Sequence, residues 1–316
     1  MLIPTMAPAP ARYGALSPRD HNGVCLPDGF SSRVVARSGQ RIGGIVWHPA
    51  PGGGACFADG AGWIYVSNSE IPLAGGAAAL RFDAGGNLTS AYPVLVCTNL
   101  NRAGCVTGWD TWLSCEGILR GYVWEVDPRA TRAARPHPAM GRFAHVDAAC
   151  DPLRQVVYLT EDEPDGCFYR YRPDLWADLS IGRLEVLCHN DSGVDWLPVP
   201  EPAPGILERA TRHQVPSAVH VGRGAECRYE AGACHFTTSD GVCWAYDADH
   251  NVLRSTIDGA ETFRVTDFLR LEGHEDSVIT GAAFSPDGSR LYFSSQRGTR
   301  GTADGGITFE VTGPFV

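Results

Sequence analysis

Lysine is absent: all 26 basic side chains among the 316 residues are arginine. That excludes Schiff-base catalysis on a lysine and the phosphate loops that depend on one. Positive charge is scarce in general. Against 36 acidic residues it leaves a net charge of -10, which argues against nucleic acid or an anionic membrane as a partner and for a small molecule or a cation. No apolar run approaches the roughly 20 residues that a membrane helix needs. The stretch from Met1 to Phe30 has Pro, Arg and Asp scattered through it and lacks the apolar core of about 7–15 residues that marks an export signal. The expected location is the cytoplasm. Charged residues make up only 20% of the chain, while Gly 37 and Pro 22 are abundant, a balance that excludes a helical bundle and suits short strands joined by tight turns. Eleven cysteines, odd in number and irregularly spaced, read as mostly reduced, buried small apolar residues.

What the chain does have is an internal repeat. Five segments share a β-rich core ending in small and polar residues: Trp63–Glu70, Thr111–Glu116, Val156–Asp162, Cys234–Asp240 and Leu291–Gln296. A second strand follows each, at Ala78–Asp83, Gly121–Asp127, Gly166–Tyr171, Gly241–Asp247 and Gly306–Val311. A shorter, small-residue strand precedes each, at Gly54–Phe57, Gly104–Thr107, His145–Cys150, Ser217–Val221 and Gly281–Phe284. Repeated strand triplets with an outer fourth strand are the pattern of propeller blades. The steps Leu80 to Trp124 to Tyr169 each match one blade; those to Trp244 and Phe309 are longer. The first excess holds the Pro-rich run Trp196–Pro204, expected to be a long loop, and the second one strand, Thr262–Leu271. The sequence therefore predicts an all-β chain, a β-propeller of five complete blades or of six with one degenerate. A single domain would span 33–316, with an extension over 1–32 packing on it. Arg33–Arg37 is expected to close the ring by pairing with the last sheet. Trp63, Trp112, Trp124, Tyr158, Tyr169 and Trp244 are expected to fill the spaces between blades, and Asp249–Asn251 and Ser285–Gly288 to be turns.

In a propeller, polar residues at equivalent strand ends converge on the axial channel. Glu70, Glu116, Glu161 with Asp162, Asp240 and Gln296 occupy such ends, and a ring of oxygen donors of this kind can hold Ca²⁺. Arg142, His145 and Asp147 form a second group, in which His145 and Asp147 share one face of a strand and suit a general base with its orienting group, or two ligands. Glu226 lies where a loop reaches the funnel. Cys115, beside Glu116, reads as a buried thiol, since no Cys-His motif accompanies it.

These residues resemble the PhoX-type alkaline phosphatase family over most of the chain from about Arg33. Thr107–Glu116 is similar to the family's TPWGTWLxCEE segment, Gly141–His145 with Val156–Asp162 to its GRFxHE and VYLTED pair, and Ile279–Gln296 to its final blade. The resemblance implies a six-bladed propeller and phosphoester hydrolysis at an axial cluster of iron and calcium. The sequence departs from the family at the positions that would carry those metals. Arg102 stands where a metal-binding Cys is expected, and Gly117, Val146 and Val278 stand where the family has Glu. Three anionic ligands are lost and a positive charge is gained, so no metal and no other cofactor is expected. Were calcium bound, the retained Glu70, Glu116, Glu161 and Glu226 would hold it.

The leading reading is a diverged enzyme that works on an intracellular small molecule, in specialised biosynthesis, by metal-free acid–base chemistry. Its catalytic groups would be Glu116, His145, Asp147, Glu161 and Glu226, and its binding groups Arg102, Arg142, Glu70, Trp109, Asp240 and Gln296. The alternatives are a Ca²⁺-dependent hydrolase of phosphate or other esters, and a non-catalytic propeller that binds a partner.

Overall fold

The structure, a computed structural model, describes residues 12–191, 193–256 and 267–315. It is all-β and built of antiparallel sheets. Strand β1 (Ser31–Arg37) comes first. Sheet I follows as β2 (Pro51–Asp59), β3 (Gly62–Ser69), β4 (Gly75–Phe82) and β5 (Leu88–Thr98). Sheet II is β6 (Asn101–Val106), β7 (Trp112–Glu116), β8 (Val123–Val126) and β9 (Arg135–Pro136). Sheet III has β10 (His145–Asp151), β11 (Val156–Glu161), β12 (Phe168–Leu175), β13 (Asp178–Asn190) and β14 (Gly193–Pro198). Sheet IV is β15 (Gly224–Glu230), β16 (Ala233–Thr238), β17 (Cys243–Asp247) and β18 (Val252–Ser255). Sheet V consists of β19 (Ile279–Phe284), β20 (Arg290–Ser295) and β21 (Ile307–Thr312), with β1 as its fourth strand, so the expected pairing of the N-terminal strand with the last sheet is present.

The inner strands β19, β2, β6, β10 and β15 lie side by side in that order. Their small-residue sequences follow from this closeness. A Cβ on Gly53 of β2 would sit 2.5 Å from the Cα of Ala103 on β6. Gly281 of β19 has φ +63, and a Cβ there would come 2.7 Å from the Gly52 carbonyl oxygen, so only glycine meets both demands. The second strands of sheets I, II, III and V are instead buried along nearly their whole length and carry the core, while that of sheet IV alternates buried and partly buried residues. Trp63 and Tyr65 meet Tyr292 between sheets I and V, Ile64 meets Trp112 between I and II, Leu113 meets Tyr169 between II and III, and Phe168 meets Phe236 between III and IV. Trp124 and Trp244 pack at the margins of two of these clusters. Among the described residues no such cluster joins sheets IV and V. A face of sheet V is covered instead by Val24 and Leu26, with Phe30, Phe268 and Leu271 beside them.

Two segments differ from the sequence expectation. The inner strand of sheet IV is Gly224–Glu230, while Ser217–Val221 contributes only isolated bridges, His220 to Cys167 and Ala218 to Cys188. Ser217–Val221 is the smaller and less charged of the two, but Gly224–Glu230, with two Glu, an Arg and a Tyr, lies beside β10 and takes the inner place. Trp196–Pro198 is not loop but the end of a fifth strand on sheet III, held because the Trp196 ring is buried and its Nε1–H donates to Tyr246 Oη at 2.7 Å. Half of the strand expected over Thr262–Leu271 falls outside the described residues; of the rest, 267–269 are not strand and Arg270–Leu271 pairs with Val24–Cys25. The two expected turns are present, with Asp247 Oδ1 accepting from the Asp249 and His250 N–H groups and Gly288 at φ +72. No described helix is long and apolar enough to cross a membrane.

Candidate active site

The five inner strands line one cavity of about 740 Å³. A chain of polar contacts crosses its rim, one residue from each sheet or its leading loop. Gln296 Nε2 donates to Glu70 Oε2 at 2.7 Å, Arg102 Nε lies 3.3 Å from Glu70 Oε1, Arg102 Nη1 is 2.6 Å from Asp162 Oδ2, and Arg223 Nη1 is 2.9 Å from Asp162 Oδ1. The Arg102–Glu70 contact is an ion pair without hydrogen-bond alignment, since the buried Nε has no such partner.

Glu70, Gly117, Asp162 and Gln296 share one place in the repeat, the residue directly after the second strand. In sheet II that place is glycine, and a Cβ there would stand 2.5 Å from Arg102 Nε and 2.9 Å from its Cδ. Arg102 thus occupies the space that Gly117 leaves, and its guanidinium supplies the positive charge between Glu70 and Asp162. Gly117→Ala is therefore expected to destabilise the wild type by about 1–2 kcal/mol more than it destabilises an Arg102→Ala background, as is typical for touching residues. Urea unfolding of the four proteins reads that coupling, and additive effects would separate the two positions.

Deeper in the cavity stands Asp147 of β10, buried, with Oδ1 accepting from the Ala148 N–H at 2.9 Å and Oδ2 from the Cys227 N–H at 2.8 Å. Burial pushes its carboxyl up to about 7; the two N–H groups pull it down and nearby Glu226 pushes it up further. Glu226 of β15 is exposed, lines the same cavity and has no ion-pair or hydrogen-bond partner among the described residues. Cys105 also lines it, with its Sγ 3.4 Å from Cys150 Sγ. The Cys150 contact, then burial, pushes the Cys105 thiol up, and burial does the same to Cys115. All eleven cysteines are free thiols.

The remaining expected site residues lie elsewhere. Glu116 is the last residue of β7, one position before the rim, and adjacent strand residues point to opposite sides. It turns back to its own sheet, where its two oxygens accept from the Asn99 and Tyr122 N–H groups at 2.9 and 3.0 Å. Glu161 is displaced from the rim for the same reason. Its buried carboxylate meets Arg212 Nη1 at 3.1 Å, the Tyr169 hydroxyl at 2.8 Å and the Cys167 N–H at 3.2 Å. Burial raises its pKa, and these partners oppose the shift. His145 parts from Asp147 because the register slips between His145 and Ala148, a bulge that breaks the alternation of sides. Its ring packs on Phe143 with centroids 3.8 Å apart, Nε2 lies 3.0 Å from the Gly141 carbonyl oxygen, and burial lowers its pKa to about 4. A neutral imidazole therefore donates from Nε2 within the core. Arg142 lies over the Tyr122 ring at 4.8 Å. Trp109 donates from Nε1 to Glu125 Oε1 at 2.7 Å, and Asp240 accepts from the Thr238 hydroxyl in an exposed turn. None of these three lines the cavity.

The calcium ligand set implied by the family resemblance does not fit this arrangement. Glu116 and Glu161 are spent on turn backbone and on Arg212, Glu70 is held by Arg102 and Gln296, and only Glu226 stands free. Among the described residues no group of three His, Cys, Asp or Glu side chains is placed to hold a metal ion.

Sequence reasoning did not assign Gly117 or Arg223 to the site. The signal for Gly117 was available, because a large residue gained at Arg102 and a side chain lost at Gly117 are complementary departures. Tyr229 and Trp244, which also line the cavity, have strand spacing indistinguishable from that of core aromatics.

Residues 118–248 match the family described as alkaline phosphatase PhoX. No curated protein matches significantly. Among solved structures the chain is similar to the WD40 β-propeller domain of Doa1 at 9% identity, covering 86% of this chain and 97% of that one with a TM-score of 0.39. It is similar to a chain of the mitotic checkpoint complex at 12% identity, covering 88% and 93% with a TM-score of 0.41. A GH43_1 enzyme from Xanthomonas citri complexed with xylose is similar at 12% identity, covering 88% and 89% with a TM-score of 0.38.

Proposed function

We propose that this chain, whose residues 118–248 match the alkaline phosphatase PhoX family, is a diverged member of that family and a five-bladed propeller enzyme. It acts on a small molecule in the shared cavity by metal-independent acid–base chemistry. The blade reading is supported by five consecutive antiparallel sheets whose inner strands border one cavity and by β1 completing the last of them.

The observation that carries the chemistry is Asp147. A cavity carboxyl held at about 7 is divided between its two protonation states at neutral pH, so one group can both donate and accept a proton. The Ala148 and Cys227 N–H groups fix its two oxygens, which keeps the proton at a defined place. Glu226 supplies a second carboxylate beside it. At the rim, the Arg102 guanidinium neutralises Glu70 and Asp162, the role a bound cation would otherwise have.

Incubating chelator-treated protein with a metabolite extract and following it by mass spectrometry tests this reading. The expected result is a substrate and product pair converted at the same rate with and without chelator, and no hydrolysis of p-nitrophenyl phosphate after Ca²⁺ and iron are added. Turnover that appears only with stoichiometric metal would overturn it.

A further inference from the structure

The charge inventory of the cavity wall carries a step that the phosphatase name does not suggest. Apart from its thiols and Tyr229, the charged or titratable side chains on it are Glu70, Arg102, Asp147, Glu226, Arg228 and His235. Both arginines are already engaged. Arg102 is shared between Glu70 and Asp162, and Arg228 pairs with Glu230 at 3.3 Å on the exposed end of β15. The unpaired charge is the negative one on Glu226. A phosphate ester entering here would meet only cations that already share an acid, Arg228 in an exposed surface pair, and the Glu226 carboxylate would repel it. The same cavity wall holds Tyr229 and Trp244, both partly buried: Tyr158 stacks on Tyr229 at 6.2 Å and Arg154 Nη1 donates to its hydroxyl at 2.9 Å, and Phe236 stacks behind Trp244 at 5.9 Å, which leaves each ring its other face. An exposed carboxylate on a wall that also presents aromatic rings suits an organic cation, whose ammonium pairs with the acid while its body lies on the rings.

We propose that the cavity selects a cationic substrate, an ammonium carried on a flat apolar body, with the ammonium on Glu226 and the body against Tyr229 and Trp244. This deepens the proposal that the cavity is the site of reaction and rests on it.

Three indoles of matched size and different charge test the selection by calorimetry: tryptamine as the cation, tryptophol as the neutral form and indole-3-acetate as the anion. Tryptamine is expected to bind at least about tenfold more tightly than tryptophol, the worth of one charge-assisted contact, and the acetate more weakly than both. Glu226→Gln is expected to abolish the preference while leaving tryptophol affinity unchanged; the residue is exposed and unpartnered, so the variant should fold, and unchanged tryptophol binding verifies it. Equal or tighter binding of the acetate, a preference that survives Glu226→Gln, or no binding of any of the three up to millimolar concentration would each overturn the proposal. The two proposals fail separately. Turnover of an anionic metabolite without metal would leave the acid–base reading intact and remove this one, whereas cation preference without any turnover would do the reverse.

Discussion

Asp147→Asn is expected to slow the chelator-resistant turnover by roughly 10²–10⁴-fold, the usual worth of a positioned acid or base. The same substitution should alter how stability depends on pH. Asp147 is held at about 7 in the folded chain, against about 4 for an unfolded aspartate. Between those values the folded state keeps a proton that the unfolded chain has released. The stability this group contributes is full below about pH 4 and is lost as pH rises to about 7, by about 4 kcal/mol in total. Asparagine has no proton to release. The melting temperature of the wild type should therefore fall relative to that of the variant across this window and run parallel to it above. The groups around Asp147 leave the window to it: burial keeps the Cys115 thiol neutral, as it does that of Cys227, and the Cys150 contact does so for Cys105. Scanning fluorimetry of both proteins from pH 4.5 to 8 measures the difference. Parallel curves throughout would mean an ordinary carboxylate and would retire Asp147 as the proton carrier.

Arg212→Met is expected to cost about 3–5 kcal/mol, because it strands a buried carboxylate. The side chain of Glu161 is 0% exposed and that of Arg212 11%, and the same guanidinium lies 2.8 Å from Asp165 Oδ1. For a chain of this size the melting temperature should drop by roughly 5 °C or more. Adding Glu161→Gln should restore part of the loss, since the amide keeps an acceptor for Tyr169 and carries no charge. Turnover per folded molecule should stay constant in both variants, as neither residue lines the cavity. A fall in turnover at unchanged stability would place Glu161 in the chemistry after all.

Sheets I, II, III and V were legible in the sequence because each combines a small-residue inner strand with a buried second strand, and that contrast is written in residue type. Sheet IV shows where this fails: Ser217–Val221 fits the small-residue pattern, yet the inner strand is Gly224–Glu230, which carries Glu226, Arg228, Tyr229 and Glu230, and only neighbouring backbone decides which of them lies inside. The site was legible at the level of the repeat but not of the single residue. Glu70, Asp162 and Gln296 do meet through Arg102, whereas Glu116 and Glu161 stand one position earlier and point the other way. A sequence alignment of strand ends tolerates a slip of one; a pleated strand does not. His145 was separated from Asp147 by a bulge, which no composition or spacing announces. Asp147 owes its raised pKa to burial between the sheet II residues Gly104 and Cys105 and the sheet IV residue Cys227, an environment assembled only by folding.

The pairing of β1 with β21 has a consequence for synthesis. Sheets I to IV each use consecutive stretches of chain and can form as they leave the ribosome, but Ser31–Arg37 must wait for Ile307–Thr312. Joining strands so far apart in sequence carries a loop-closure cost that local hairpins avoid. Until then a nascent chain exposes one open strand near its start, and β19 and β20 lack the partners that complete their sheet. Because Thr280 Oγ1 donates to the Pro51 carbonyl oxygen at 2.7 Å and Gln296 holds Glu70, the wall and rim of the cavity are finished in the same late event. An unfinished chain is therefore also an inactive one.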